Sequence, residues 1–226
     1  MRIGKEDHDR IAAAIAAAEA TTAGEIVCVL DTDRHVYLEW VLALAAALAF
    51  TLPLLATLAG FGPTAWRDAL FPAWQAAGQP LPDIATVELY AAAQVLLFLL
   101  AFLLLRASPF AQRLAPAPLR RARVHELALK QFLARGIHLT EGRTGVLIFA
   151  SLHDRMTEIV ADEGIYAKVA PEAWAEADAA LIQDARNGQL AEGFIRAIGI
   201  VGAILAAHFP PAPRDRDELP NRLIEL

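Results

Sequence analysis

Three carboxylates invite chemistry first. Glu141, Asp162 and Glu163 offer the hard oxygen donors that hold Mg²⁺ or Ca²⁺, and one of them could instead serve as a general base. If the segments between them form a β-hairpin, His138, Thr140, Glu141, Arg143 and Thr144 precede one strand while Asp162 and Glu163 follow the other. Both groups then stand at one end of the hairpin. Asp154, in the turn between the strands, stands at the opposite end, with Arg155 opening the second strand beside it. A divalent cation is the cofactor such a grouping admits, with calcium disfavoured on a cytoplasmic domain because no dedicated loop motif is present. Acids in turns also serve simply to keep loops solvated, and both readings stay open at this point.

Other chemistries are excluded by spacing. His125 and Glu126 begin like a zinc-protease helix, but the position that needs the second histidine holds Leu129. His8, His35, His153 and His208 are scattered without ligand spacing and read as surface residues. No phosphate-cradling glycine loop, nucleophile elbow or Cys/His pair is found. Cys28 is the single cysteine, so no disulfide within the chain and no thiolate cage can form. It lies in an apolar run from Ile26 to Leu30 and reads as a buried small residue. A net charge of −6, without basic runs interleaved with aromatics, argues against nucleic acid as a partner.

The elements that must position these residues include a membrane hairpin. The chain is 56% hydrophobic over 226 residues, above the roughly 45–50% usual for soluble domains. The excess is local. Trp40 to Trp66 carries no charge, and neither does Leu89 to Leu105, which predicts two spans at about 40–62 and 89–105 within a hairpin of residues 37–107. Tyr37, Trp40, Trp66 and Tyr90 stand at the ends, where amphipathic rings favour the headgroup layer, and Pro53 reads as a kink rather than a break. Because the first span begins well inside the chain, it does not read as a cleavable signal peptide.

Arginine placement predicts orientation. Arg34 precedes the first span, and Arg106, Arg113, Arg120, Arg121 and Arg123 follow the second, whereas the connector holds Arg67 beside Asp68, Asp83 and Glu88. This asymmetry puts both flanks in the cytoplasm of a bacterial inner membrane. The connector, with Phe71, Pro72, Trp74, Pro80, Leu81 and Pro82, is expected at the outer interface.

The flanks read as two parts of one α/β domain, residues 1–34 and 119–209. Ile11, Ala14, Ile15 and Ala18 form a helical stripe closed by Gly24, and Glu25 to Thr32 reads as a buried strand. After a proline-rich linker over Ser108 to Pro118, a helix over Arg120 to Arg135 turns Val124, Leu127, Ala128 and Phe132 inward. Gly145 to Ser151 and Arg155 to Glu163 read as the hairpin strands. A helix from Pro171 to Arg186 and a last one near Leu190 to Phe209 follow; the latter is too short an uncharged run for a third span and carries a core stripe at Phe194, Ile198, Val201 and Leu205. Residues 210–226 read as an extended, flexible tail whose end could dock on the domain or a partner. One helix and one strand cannot bury a core alone, so the piece before the hairpin must pack with the pieces after it.

Several of these motifs coincide with a known family. The initial helix with Gly24-Glu25-Ile26-Val27-Cys28-Val29, Phe132 with Gly136-Ile137, the run Gly145 to Arg155, Arg186-Asn187-Gly188 and Ala191-Glu192-Gly193 together resemble the TPM family, whose thylakoid-lumen, photosystem-repair and receptor-modulating members include phosphatases. The ending Asp217 to Leu226 is similar to its membrane-inserted bacterial branch. The resemblance implies a small mixed sheet flanked by helices, with the transmembrane hairpin inserted. It leaves two expectations. One is an interaction or assembly-support module at the cytoplasmic face, with the lipid bilayer and a membrane protein as partners. The other is a metal-assisted phosphatase acting on phosphomonoesters near the membrane.

Overall fold

A computed structural model describes residues 3–63, 65–66, 83–108, 114–211 and 218–226. The expected interfacial connector around Arg67, Phe71, Trp74 and Pro80, together with Arg113 and residues 212–217 of the tail, lies outside the described residues. The chain divides into two compact units, Met1–His35 with Ala117–Leu226, and Val36–Pro116.

The first unit is built on four strands. Helix α1 (Lys5–Glu19) leads into β1 (Glu25–Asp31), and after residue 116 follow α4 (Ala117–Ala134), a short 3₁₀ turn (Ile137–Leu139), β2 (Gly145–Ser151), β3 (Met156–Ala161) and α5 (Glu163–Tyr166). A 3₁₀ turn (Pro171–Trp174), α6 (Ala175–Arg186), α7 (Leu190–His208) and β4 (Leu223–Glu225) complete it. The sheet order is β3-β2-β1-β4. β1 runs parallel to β2, pairing Glu25 with Gly145 through Asp31 with Ser151, and parallel to β4, while β2 and β3 are antiparallel. This is a mixed α/β fold.

Every residue of β1 and β2 is buried, as expected of strands covered on both faces. Because side chains alternate, Ile26, Cys28, Leu30, Val146 and Ile148 enter one core with Ile11 and Ile15 of α1, Leu181 of α6 and Phe194, Ile198, Val201 and Leu205 of α7. Val27, Val29, Leu147 and Phe149 enter a second core under Val124, Ala128 and Phe132 of α4. The stripes expected on α1, α4 and α7 are the faces that bury.

Several expectations change in this unit. Gly24 does not close α1, which ends at Glu19; a β-carbon at Gly24 would stand 2.8 Å from Leu205 Cδ1, so the glycine serves close approach to α7. The second hairpin strand starts at Met156 and stops at Ala161, because Arg155 adopts a left-handed φ of 54° in the turn and Asp162 caps α5. The helix after Pro171 opens with a 3₁₀ turn. The end of the tail is not flexible: β4 pairs with β1, matching Cys28 with Leu223 and Leu30 with Glu225, and Leu226 N–H donates to Leu30 O at 2.9 Å. β1 would otherwise present an unpaired edge, and Ile224 and Leu226 bring apolar surface to the second core.

The second unit holds α2 (Leu38–Leu58) and α3 (Asp83–Ala107), which pack against each other. α2 stops four residues before the expected end of its span, where Gly60 takes a φ of 90°, and α3 begins six residues before its expected start. α2 continues through Pro53, and Thr57 Oγ1 donates to Pro53 O at 2.8 Å. Trp66 and Tyr90 stack with centroids 6.2 Å apart. Among the described residues three helices, Leu38–Leu58, Ile84–Ala107 within α3, and α7, are long and apolar enough to cross a membrane by length and composition. Burial separates them: 44% of the apolar window of α7 is buried, against 22% and 6% for the other two.

Candidate functional site

The sheet has two ends, and the expected site residues divide between them. At the amino end of β2, the loop before it is occupied by structural bonds. His138 sits in the 3₁₀ turn with its ring 6.4 Å from Phe132 and its Nδ1 buried without a hydrogen-bond partner. Thr144 N–H donates to Thr140 Oγ1 at 3.2 Å, and Thr144 Oγ1 donates to Ala23 O at 2.7 Å, joining this loop to the start of β1. Glu141 presents its backbone N–H to the Glu218 carboxylate at 3.2 Å. Arg143 takes a left-handed φ of 51°, and its guanidinium lies 3.8 Å from Asp162 Oδ1. That same oxygen accepts the N–H of Glu163, the first residue of α5, at 2.6 Å.

Arg143, Thr144 and Asp162 are therefore neighbours of one loop-and-cap structure. Glu141, Asp162 and Glu163 do not assemble into a donor set: among the described residues, no three His, Cys, Asp or Glu side chains stand where they could hold a metal ion.

The opposite end, to which Asp154 and Arg155 belong, is where β1 and β2 present their carboxyl termini. In open α/β sheets this is the end that forms ligand crevices, since the helices crossing back over the sheet leave a gap there. Asp31, Ser151 and Asp154 are all buried here. Asp31 and Ser151 are register partners; Asp31 Oδ1 accepts Asp33 N–H at 3.1 Å, and Oδ2 lies 2.9 Å from His35 Nε2. Ser151 Oγ donates to Asp154 Oδ2 at 3.4 Å. Arg120, from the first turns of α4, donates through Nη1 to Asp154 O at 3.4 Å.

A cavity of about 300 Å³ opens beside these groups, with Ser151, Leu152, Arg155, Arg186 and Leu190 in its wall. A groove of about 570 Å³ runs along β3 between α4 and α6, lined by Arg121, His125, Glu158 and Ile182 among others. The two spaces share Arg155, Met156, Thr157, Ile182 and Arg186. β3 is an edge strand, and this groove lies against it.

Asp178 of α6 is half-buried, with Oδ1 lacking a hydrogen-bond partner, as does Thr157 Oγ1. Burial holds the Asp178 carboxyl above the usual carboxylate range, and the Glu158 charge adds to the rise. Cys28, in the first core, has its thiol pushed up by burial and by the Glu19 carboxylate, which leaves it inert as a nucleophile.

Asp31, His35, Ser151, Arg121 and Arg186 were not singled out as a group by sequence reasoning. A signal existed for Asp31 and His35, whose i, i+4 spacing follows directly from the end of an apolar run. Arg186 offered none, since a basic residue in the last turn of a helix is what the helix dipole favours anyway.

No family model matches the chain, and no curated protein matches it. Among solved structures, it is similar to the NMR structure of the BA42 protein from the psychrophilic bacterium Bizionia argentinensis. The TM-score is 0.57 at 18% identity, over 100% of this chain and 97% of that one. At that identity the likeness speaks for a compact α/β fold.

Proposed function

We propose that this chain is a membrane-anchored, TPM-like α/β protein that works as an interaction or assembly-support module at the cytoplasmic face of a bacterial inner membrane, meeting the lipid bilayer and a membrane protein. The observation that carries the anchor is the contrast between the units. Residues Val36–Pro116, which interrupt the α/β unit in sequence, contain two helices of spanning length whose apolar windows are only 22% and 6% buried. Leu55, Leu58, Leu96 and Leu103 are each more than half exposed, and such surface is stable in hydrocarbon rather than water. The arginines after α3 support cytoplasmic flanks.

Reporter fusions after Thr32 and at Leu226 test the topology, with both expected on the cytoplasmic side; an external reporter at either point defeats the orientation. Crosslinking in intact membranes is expected to recover a defined protein partner, and a clean monomer with hydrolytic turnover would sink the module reading.

The second reading, a metal-assisted phosphatase acting on phosphomonoesters, has one observation in its favour: a cavity bordered by Arg155 and Arg186 suits a phosphoryl group. The described residues do not provide a three-ligand set for the divalent cation, so no metal-dependent step is derived. Turnover of a phosphomonoester that disappears in Asp154→Asn would favour this reading over the first.

A further inference from the structure

Most charged side chains of the α/β unit have partners within it. Arg10 meets Asp7 and Glu192, Lys130 meets Glu126, Arg143 meets Asp162 and Arg196 meets Asp184. Arg121, Arg155 and Arg186 are exceptions: among the described residues none of their side chains makes a hydrogen bond or an ion pair, and all three border the joined cavity and groove at β3. Among the described residues the acid in the lining is Glu158, whose carboxylate lies 2.9 Å from His125 Nδ1. Three guanidinium groups against one carboxylate leave the described lining with net positive charge.

Its walls are of another kind. Met156 and Ile182 belong to both spaces, and Ala150, Leu152 and Leu190 continue the apolar lining of the cavity. A bare anion would leave those surfaces uncovered, and a purely apolar ligand would leave three guanidinium groups without acceptors. The matching ligand has an anionic group at one end and an apolar segment at the other. The cavity volume of about 300 Å³ is at the lower end of what encloses a small ligand, and the groove extends it.

We infer that this site binds an anionic phospholipid, with the phosphate held by Arg155 and Arg186 and an acyl chain laid against Met156 and Ile182. A membrane-anchored chain meets that amphiphile continuously, so this choice of ligand draws on the anchor reading above. Guanidinium groups pair with phosphate oxygens bidentately, which favours arginine over lysine at such a mouth.

The test uses the full chain in a neutral maltoside detergent, with methyl-labelled Met and Ile observed by NMR and dihexanoyl phosphatidic acid as the probe. A water-soluble probe separates this inference from the topology, because binding in solution does not depend on which side of a membrane the domain faces. Saturable shifts at Met156 and Ile182 are expected. Inorganic phosphate and dihexanoyl phosphatidylcholine should each bind at least about tenfold more weakly, and R155Q/R186Q should weaken the phosphatidic acid by at least about tenfold while the remaining spectrum stays native. Should that double variant lose its folded spectrum, Ile182→Ser takes its place, read at Met156, with the same loss expected. Phosphate binding as tightly as the lipid would make a free anion the ligand; phosphatidylcholine binding as tightly would make the arginines irrelevant. Either result, unchanged affinity in the variants, or no saturable shift overturns the inference.

Discussion

The carboxylate of Glu25 accepts the backbone N–H of Glu218 at 3.2 Å, and its second oxygen accepts that of Leu219 at the same distance. The Glu218 carboxylate in turn receives Glu141 N–H. A buried acid at the first position of β1 thus fastens the segment that leads into β4. Replacing Glu25 with alanine leaves two N–H groups without acceptors and should destabilise the α/β unit by about 1–3 kcal/mol. Hydrogen exchange would read the change at Leu226 N–H, whose protection should fall more than that of amides inside β2.

Gly145 opens β2 with no room for a side chain. A β-carbon there would stand 2.4 Å from Ile137 Cγ2 and 2.6 Å from Ile137 O, and the second of these is backbone that cannot swing aside. Gly145→Ala should therefore destabilise by about 1–3 kcal/mol through overpacking. Thermal unfolding of Gly199→Ala, a helix glycine with nothing near its β-carbon position, is the comparison, and that variant should match or exceed the parent.

Much of this fold was legible because its strands are apolar runs and its helices are striped. The segments Glu25–Asp31 and Gly145–Ser151 differ from expectation by at most one residue, and Phe194, Ile198, Val201 and Leu205 bury as their spacing requires. What escaped is nonlocal. β4 is three residues long and sits in a charged, proline-rich tail, so only its pairing with Cys28 to Leu30 makes it a strand. The site escaped for a related reason: Glu141, Asp162 and Glu163 are grouped by a hairpin argument that places loops at an end but cannot say which loop atoms the fold consumes. Ser151 and Asp31 meet because β1 and β2 are parallel, a fact of register that a single strand does not display.

Asp178 gives a pH dependence with a defined sign. Its carboxyl, raised chiefly by burial, stabilises the fold fully below the ordinary value of 3.8 and loses that contribution as pH rises through the raised value. Asp178→Asn removes the charged form and should be the more stable protein at neutral pH, by about 1 kcal/mol. Denaturant titrations across the acid range should show the gap between variant and parent opening as pH climbs above 3.8 and absent below it.

The anchor reading predicts an asymmetry between two exposed leucines. Leu96 of α3 is 69% exposed and Leu133 of α4 is 58% exposed. Arginine at position 96 should oppose membrane insertion by roughly 2.5–3.5 kcal/mol, whereas arginine at position 133 should leave membrane association unchanged. Alkaline extraction of membranes followed by blotting separates the outcomes, and equal retention of both variants would defeat the assignment of α3 as a span.

β1 obtains both of its neighbours from far downstream, Gly145–Ser151 on one side and Leu223–Glu225 on the other. At ribosomal speeds of about 5–20 residues per second, some seconds pass between the appearance of β1 and that of its first partner. Throughout that interval a strand with an apolar run from Ile26 to Leu30 is on show with no mate, a target for any other nascent edge. The order of synthesis thus gives this chain a period of dependence on chaperones or on rapid delivery to its destination, and it ends when the second half arrives to close the sheet.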